Sequence, residues 1–253
     1  DEALSFSKHM THYENDAEYL LEMGQLSKAL SDFEGALEYF KKVRKLDEKN
    51  IYALRGLVEC LKESGGYAEA LSNLDVFPKA ERIKTAEEIA VKSINDFDAS
   101  GFEKALDYLK DGVKAGPAIL SSVLAKAADK ACKMKQSVKS VELINALKKK
   151  LALLPEKARN VCALKIAGYY GINGDIEKAL EWLSALSSLK EAEKELLKMI
   201  NAAEKNEDIN VIAGKLTRFY TGNKSCKLGE TVKKETDRLK RKEIKGRIKE
   251  LAA

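Results

Sequence analysis

GQLSKALSDFEGAL, residues 24–37, reads as a glycine that closes one helix, a short polar step, and a second helix whose apolar residues fall on one face. Whether this unit occurs once or recurs decides the architecture. Aligned on Ala29, the alanine of its SKAL, the same position returns as Ala70 in GGYAEAL, Ala105 in SGFEKAL and Ala179 in NGDIEKAL. The intervals are 41, 35 and 74 residues; the last is about twice the others, so a further unit is expected near residue 140. SVKSVELINALKKKL supplies it, with Ser140 in the alanine's place. A weaker unit, NEDINVIAGKL, puts Ala213 34 residues beyond Ala179. A fixed period of this size signals stacked repeats.

Composition agrees. Of 253 residues, 45% are apolar and only three are proline. Ala, Leu, Lys and Glu dominate, and such side chains lose little rotamer freedom on a helix. An all-α chain is expected. Apolar runs such as AGPAILSSVLA, residues 115–125, fall short of the roughly 20 residues a membrane span needs. The cysteines Cys60, Cys132, Cys162 and Cys226 stand far apart, without a CxxC motif, and read as free thiols of a reducing compartment. A cytoplasmic chain is expected on that ground. Because the first residue is Asp1 rather than Met, export of a processed chain and a place within a larger protein both stay open.

A small residue early in a second helix has a physical reason: it lets the first helix approach closely, ridges settling into grooves. Gly24, Gly65 and Gly174 stand where first helices are expected to end, since glycine adopts the left-handed cap without a Cβ penalty. Asp175 is then the expected N-cap of the next helix. Phe33 with Ala36, Leu74 with Phe77, Ile144 with Leu147, and Leu183 with Leu186 repeat at i, i+3 within the expected second helices.

With these residues in place the chain resembles the tetratricopeptide repeat (TPR), a helix-turn-helix unit of 34 residues. The best single match is CALKIAGYYGINGDIEKALEWLSAL, residues 162–186. There the family's large-small pair corresponds to Ile166 and Ala167, its aromatic to Tyr170, its turn glycine to Gly174 and its small second-helix residue to Ala179. The second unit matches through Leu54, Leu57, Leu61, Gly65, Tyr67 and Ala70, and the fourth through Leu124, Ala127, Ala128 and Ala131. Pro117 stands where the family often has a terminating proline. The resemblance covers roughly residues 10–220. It departs from the pattern at Asp16, where an apolar residue is expected. A second helix over residues 27–45 is about two turns too long and would project beyond its neighbours. The third unit needs a lengthened turn to bring Ala90, Ile94 and Phe97 onto one stripe, and the sixth has Asn201 and Glu204 at packing positions. The terminal units read as caps with polar outer faces. The resemblance implies a right-handed superhelical solenoid of five to six antiparallel helix pairs over residues 1–220, with a basic C-terminal capping helix or arm over residues 221–253. A plain helical bundle is the competing architecture.

Chemistry-bearing motifs are sparse. His9 and His12, three apart, would share a helical face but have no cysteine nearby to complete a metal site. Residues 168–175, GYYGINGD, do not follow GxGxxG and sit after helix rather than strand. TGNKS, residues 221–225, lacks the first glycine of a phosphate loop. No catalytic residue, metal or cofactor is assigned. Trp182 reads as packing, and of Tyr169 and Tyr170 one is expected in the core and the other on the surface, since neighbours on a helix point apart.

Two surfaces remain. In proteins resembling this one, first helices line a concave groove that receives a peptide or partner helix. That geometry places Tyr52, Arg55, Glu59 and Lys62 of the second unit in the groove, then Ser122, Ala125, Asp129 and Lys133 of the fourth, and Leu164, Gly168 and Ile172 of the fifth. The family's carboxylate clamp for chaperone tails needs an asparagine where Glu59 stands, which disfavours that ligand. The second surface is the tail: residues 224–249 carry 11 Lys and Arg against 4 Asp and Glu, a net of +7 in a chain whose total is +5. Val232, Leu239, Ile244, Ile248 and Leu251 give it a partial apolar stripe that could dock on the last repeat. Lys240, Arg241, Lys242, Lys245, Arg247 and Lys249 could instead face an acidic protein, nucleic acid or anionic lipid. No aromatic interleaves them, so base stacking is not expected. The reading is a non-catalytic protein-interaction scaffold or adaptor. The alternatives are a nucleic-acid or membrane-surface binder through the basic helix, and a helical domain of a larger protein.

Overall fold

The computed structural model describes residues 16–133, 137–205, 209–223 and 228–251. Among the described residues the fold is all-α, with no strand. The chain divides into two compact units, residues 1–123 and 124–253. The first contains α1 (Ala17–Ala29), α2 (Phe33–Leu46), α3 (Ile51–Glu63), α4 (Tyr67–Ser72), α5 (Lys79–Asn95) and α6 (Ala99–Asp107). Helix α7 (Pro117–Lys133) crosses the division. The second continues with α8 (Val138–Lys150), α9 (Glu156–Ile172), α10 (Ile176–Ser184), α11 (Leu189–Ala203), α12 (Ile209–Gly222) and α13 (Gly229–Leu251). All three prolines mark helix starts: Pro78 and Pro155 immediately before α5 and α9, and Pro117 as the first residue of α7, where a missing N–H costs nothing.

One turn recurs. Ser31, Gly65, Phe97 and Gly174 each have positive φ, between 57° and 84°. The residue after each donates its amide to the carbonyl five positions back: Asp32 to Ser27, Gly66 to Leu61, Asp98 to Ser93 and Asp175 to Tyr170, at 2.7–2.9 Å. This is the Schellman closure of a helix. The same residue is the N-cap of the next helix, and where it is aspartate its carboxylate accepts from Gly35, Gly101 or Lys178. A single residue thus ends one helix and starts the next, so the chain folds straight back. Ser137 caps α8 in the same manner, its hydroxyl accepting from the Ser140 amide.

The first unit corrects the reading of residues 24–37. Helix α1 runs through Gly24 and its turn falls at residues 30–32, seven positions later than expected. Asp16 is not a misplaced core residue: it is the N-cap of α1, accepting from Glu18 and Tyr19. The small residue of the first pair is therefore Ala36, fully buried, whereas Ala29 is exposed. Counted from Ala36, the small second-helix residues Ala36, Ala70, Ala105, Ser140, Ala179 and Ala213 stand 34, 35, 35, 39 and 34 apart, and all are buried. The overlong second helix disappears with the shift, since α2 has 14 residues. Twelve residues before each of the first five lies a buried Gly24, Val58, Ser93, Ala128 or Ala167; Asn201, at that place in the sixth pair, is exposed.

Gly24 is glycine because of packing. A Cβ there would lie 2.7 Å from the Phe40 ring of α2, and one at Gly56 of α3 would overlap the same ring. Phe40 is completely buried, with both first helices drawn onto its edge. In the third pair, α5 buries Ala86, Ile89, Ala90, Ser93 and Ile94. Phe97 is not on that stripe; it lies beyond the helix end as the left-handed turn residue. Helix α4 stops at Ser72, so Leu74 and Phe77 are buried from the following loop rather than from a second helix.

In the second unit α9 is covered by α10 on one side and approached by Ser140 of α8 on the other. Both neighbouring tyrosines are consequently buried, against the expectation that one would be exposed. Tyr169 shares a 2.9 Å hydrogen bond with the Ser140 hydroxyl, Tyr170 lies under the Lys178 ammonium, and their rings meet edge to face at 5.4 Å. Residues a step apart on a helix point apart, but a helix flanked twice has two buried sides. Trp182 is buried within α10.

Gly56→Ala is expected to lower stability by about 1–3 kcal/mol through overpacking against Phe40, despite the better helix propensity of alanine. At Gly214, where an added Cβ meets nothing within 4 Å, the same change should raise stability by about 1 kcal/mol. Thermal unfolding of the two variants checks the pair. Ser31→Gly should stabilise by about 0.5–1 kcal/mol, because a non-glycine residue in the left-handed region carries a penalty of about 1–2 kcal/mol, part of which is returned as glycine entropy.

Candidate interaction surfaces

Helices α1, α3 and α5 pack on one another through the first unit, and their outward faces are tied by ion pairs. The Lys28 ammonium lies 2.5 Å from Glu59. Arg55 forks onto Glu81 through two bonds of 2.8 and 3.0 Å. Lys62 reaches Glu88 at 3.0 Å, and Lys92 reaches Glu63 at 3.6 Å. The hydrogen bond from Arg55 holds the Glu81 carboxyl below its ordinary range, and Glu81 in turn raises the Arg55 guanidinium. Charges on successive first helices therefore neutralise one another, and each exposed pair contributes little to stability.

All four residues expected in the groove of this unit lie on that face. Tyr52 is 63% exposed; Arg55 and Glu59 are exposed and Lys62 is half-buried. They line two shallow clefts on either side of α3. One, between α1 and α3, is floored by Phe40 and Gly56 and walled by Gln25, Lys28, Tyr52 and Arg55. The other, between α3 and α5, lies among Arg55, Val58, Lys62, Phe77 and Thr85.

On α7, Ser122 and Lys133 are exposed while Ala125 and Asp129 are half-buried. Asp129 is paired with Lys165 of α9. Leu164 and Gly168 of α9 are half-buried, and Ile172 is 86% exposed. The three recur every four residues and so share one face of that helix. The partners Lys28, Glu81, Glu88 and Lys165 were not picked out from sequence. The signal available was opposite charge on adjacent first helices about one repeat apart.

Helix α13 packs on α12 and buries Val232, Thr236 and Leu239. Ile244 and Ile248, expected to extend that stripe, are instead 56% and 59% exposed. The Leu251 side chain lies outside the described residues. Of the basic residues, Lys242 is 2.5 Å from Glu204, which Arg238 also engages, and Arg247 bonds Glu243 at 2.9 Å. Among the described residues no ion pair engages Lys240, Arg241, Lys245 or Lys249. Glu204, at the end of α11, thus fastens α13 to the last pair, together with a Thr231 to Glu193 hydrogen bond. Partial burial pushes the Glu204 carboxyl up, but hydrogen bonds from Lys242 and Arg238 outweigh it and hold it below the ordinary range.

Among the described residues no group of three or more His, Cys, Asp or Glu could hold a metal ion; His9, His12 and Cys226 lie outside them. Burial pushes the Cys60 and Cys132 thiols up to about 11 and also raises Cys162, the reverse of what a nucleophilic thiolate needs. Among the described residues no helix is long and apolar enough to cross a membrane.

No family model matches the chain. A curated protein, the Protein CTR9 homolog of Arabidopsis thaliana, is 33% identical to it over 119 residues, 44% of this chain. The chain covers 10% of that protein's length.

Glu204→Gln is expected to cost about 1 kcal/mol at neutral pH, discounted because Arg238 and Lys242 are half-exposed. The carboxyl is depressed in the fold, so its contribution is complete above pH 4.5, the ordinary value, and vanishes as pH falls through the depressed value. Chemical denaturation of both proteins across that range checks the convergence.

Proposed function

We propose that the chain is a non-catalytic scaffold of the TPR kind, a right-handed solenoid whose first-helix faces present a groove to a segment of another protein. The observation that carries this reading is the register of small buried residues, Ala36 through Ala213, which repeats one helix pair along the chain. Such an array holds its first helices in place before any partner arrives, which lowers the ordering cost of binding. The likeness to a stretch of the Arabidopsis Protein CTR9 homolog supports a helical module of the kind a longer protein carries. In this reading residues 1–220 form the repeat domain and residues 221–253 a cap.

The groove residues divide by role. Arg55, Glu59, Lys62 and Asp129 are engaged with neighbouring helices and set a neutral, hydrogen-bonding wall. Tyr52 and Ile172 are the exposed anchors, together with half-buried Leu164. Ser122, Ala125 and Gly168 keep the wall low, and Lys133 adds charge at its edge. Affinity then comes chiefly from apolar and aromatic anchors, as at other interfaces.

Capture of a partner on the immobilised chain, washed at low and high salt, tests this. The expected result is a protein retained at high salt by the intact chain and by a Lys240→Glu, Arg241→Glu, Lys245→Glu variant, but lost by Tyr52→Asp or Ile172→Asp. Retention that disappears at high salt, and with the triple charge reversal alone, would transfer function to α13.

A further inference from the structure

The last helix and its neighbour leave a seam open. Ile244 of α13 lines a trough with Lys240 and Glu243 of the same helix, whose floor and far side are Asn210, Ala213, Gly214 and Thr217 of α12; the Glu243 carboxylate there is paired with Arg247. At Gly214 an added Cβ would meet no atom within 4 Å, so the floor has room for an inserted side chain. Ile248 extends the exposed apolar line one turn further. On the helical wheel Ile244 and Ile248 sit together, with Lys240 and Arg247 on one flank and Arg241 and Lys245 on the other. Arg247 is held by Glu243, whereas no ion pair among the described residues engages Lys240, Arg241 or Lys245.

The geometry points to this trough as a docking site for an acidic amphipathic helix of a partner protein, distinct from the groove on the first-helix faces. The charge pattern selects this occupant. An apolar line bordered on both sides by cations is complemented by an apolar line bordered by carboxylates, which desolvates the isoleucines and neutralises the flanks together. A phosphate polymer would satisfy the cations but leave Ile244 and Ile248 in water, and no aromatic is present to stack bases. Two isoleucines offer an anionic bilayer little apolar area to bury. A second copy of α13 would bring like charge against like.

Fluorescence anisotropy on the full chain tests the assignment. The probe is a labelled synthetic helix with leucines at i, i+4, i+7 flanked by glutamates. Its control carries the same charge with the leucines replaced by serine. The expected result is binding of the first, with the serine control about tenfold weaker or more. Ile244→Asp and Gly214→Leu should each weaken the leucine peptide by about tenfold. A Cβ at Gly214 meets no atom within 4 Å, so the thermal midpoint of Gly214→Leu should not fall. Equal binding of the two peptides, insensitivity to Gly214→Leu, absence of binding, or tighter binding of single-stranded RNA or phosphatidylserine vesicles would each overturn it.

Discussion

The structure depends on one backbone hydrogen bond made repeatedly. In four turns a left-handed residue is followed by an amide that closes the preceding helix onto a carbonyl five residues back. Because the donor of that bond is already the N-cap of the next helix, no spare residue separates the two elements. A helix that ends and restarts within three residues has to return along itself. In three of the four turns the small residue that faces its partner stands five positions past the left-handed residue, as Ala36, Ala70 and Ala179 do, whereas Ala105 stands eight past Phe97.

The packing side chains follow position rather than residue type. Where two first helices converge on one aromatic ring, Gly24 and Gly56 yield the space and Phe40 fills it. Val58 and Ala167 stand at the same seven residues before their left-handed turn residues as Gly24 does, and Ser140 is admitted at an alanine position because its hydroxyl shares a hydrogen bond with Tyr169. Outside the core the same helices meet through paired charges: Lys28 with Glu59, Arg55 with Glu81, Lys62 with Glu88. The exposed face is neutral in sum although it is built from ions. Glu204 continues this habit at the final pair, binding Arg238 and Lys242. On α13, among the described residues, no ion pair engages Lys240, Arg241, Lys245 or Lys249, which gives that helix a surface unlike the rest.

In the proposed reading the molecule acts by holding surfaces in place. Raised thiols, carboxylates paired with lysine or arginine on neighbouring helices and the buried Tyr67, Tyr169 and Tyr170 fit a stable array. Its shallow clefts, its exposed Tyr52 and Ile172 and the trough beside Ile244 are features that another chain's side chains could occupy.

The chain's helical class, its period and the identity of most small buried residues followed from sequence alone, because spacing and composition report local helix physics. The register of the first pair did not. A glycine in sequence signals either a helix end or a close approach, and at Gly24 only the position of the Phe40 ring, brought from the next helix, decides between them. Phe97 shows the converse: an aromatic in the left-handed turn position carries no local signature, and the surrounding closure imposes it. Likewise the charges of Arg55, Glu59 and Lys62 were visible, but which were neutralised depended on the neighbouring helix. The burial of both Tyr169 and Tyr170, and the exposure of Ile244 and Ile248, were settled by how many sides of a helix its neighbours cover. That is a property of the assembled fold, since burial is a relation between segments that no single segment encodes.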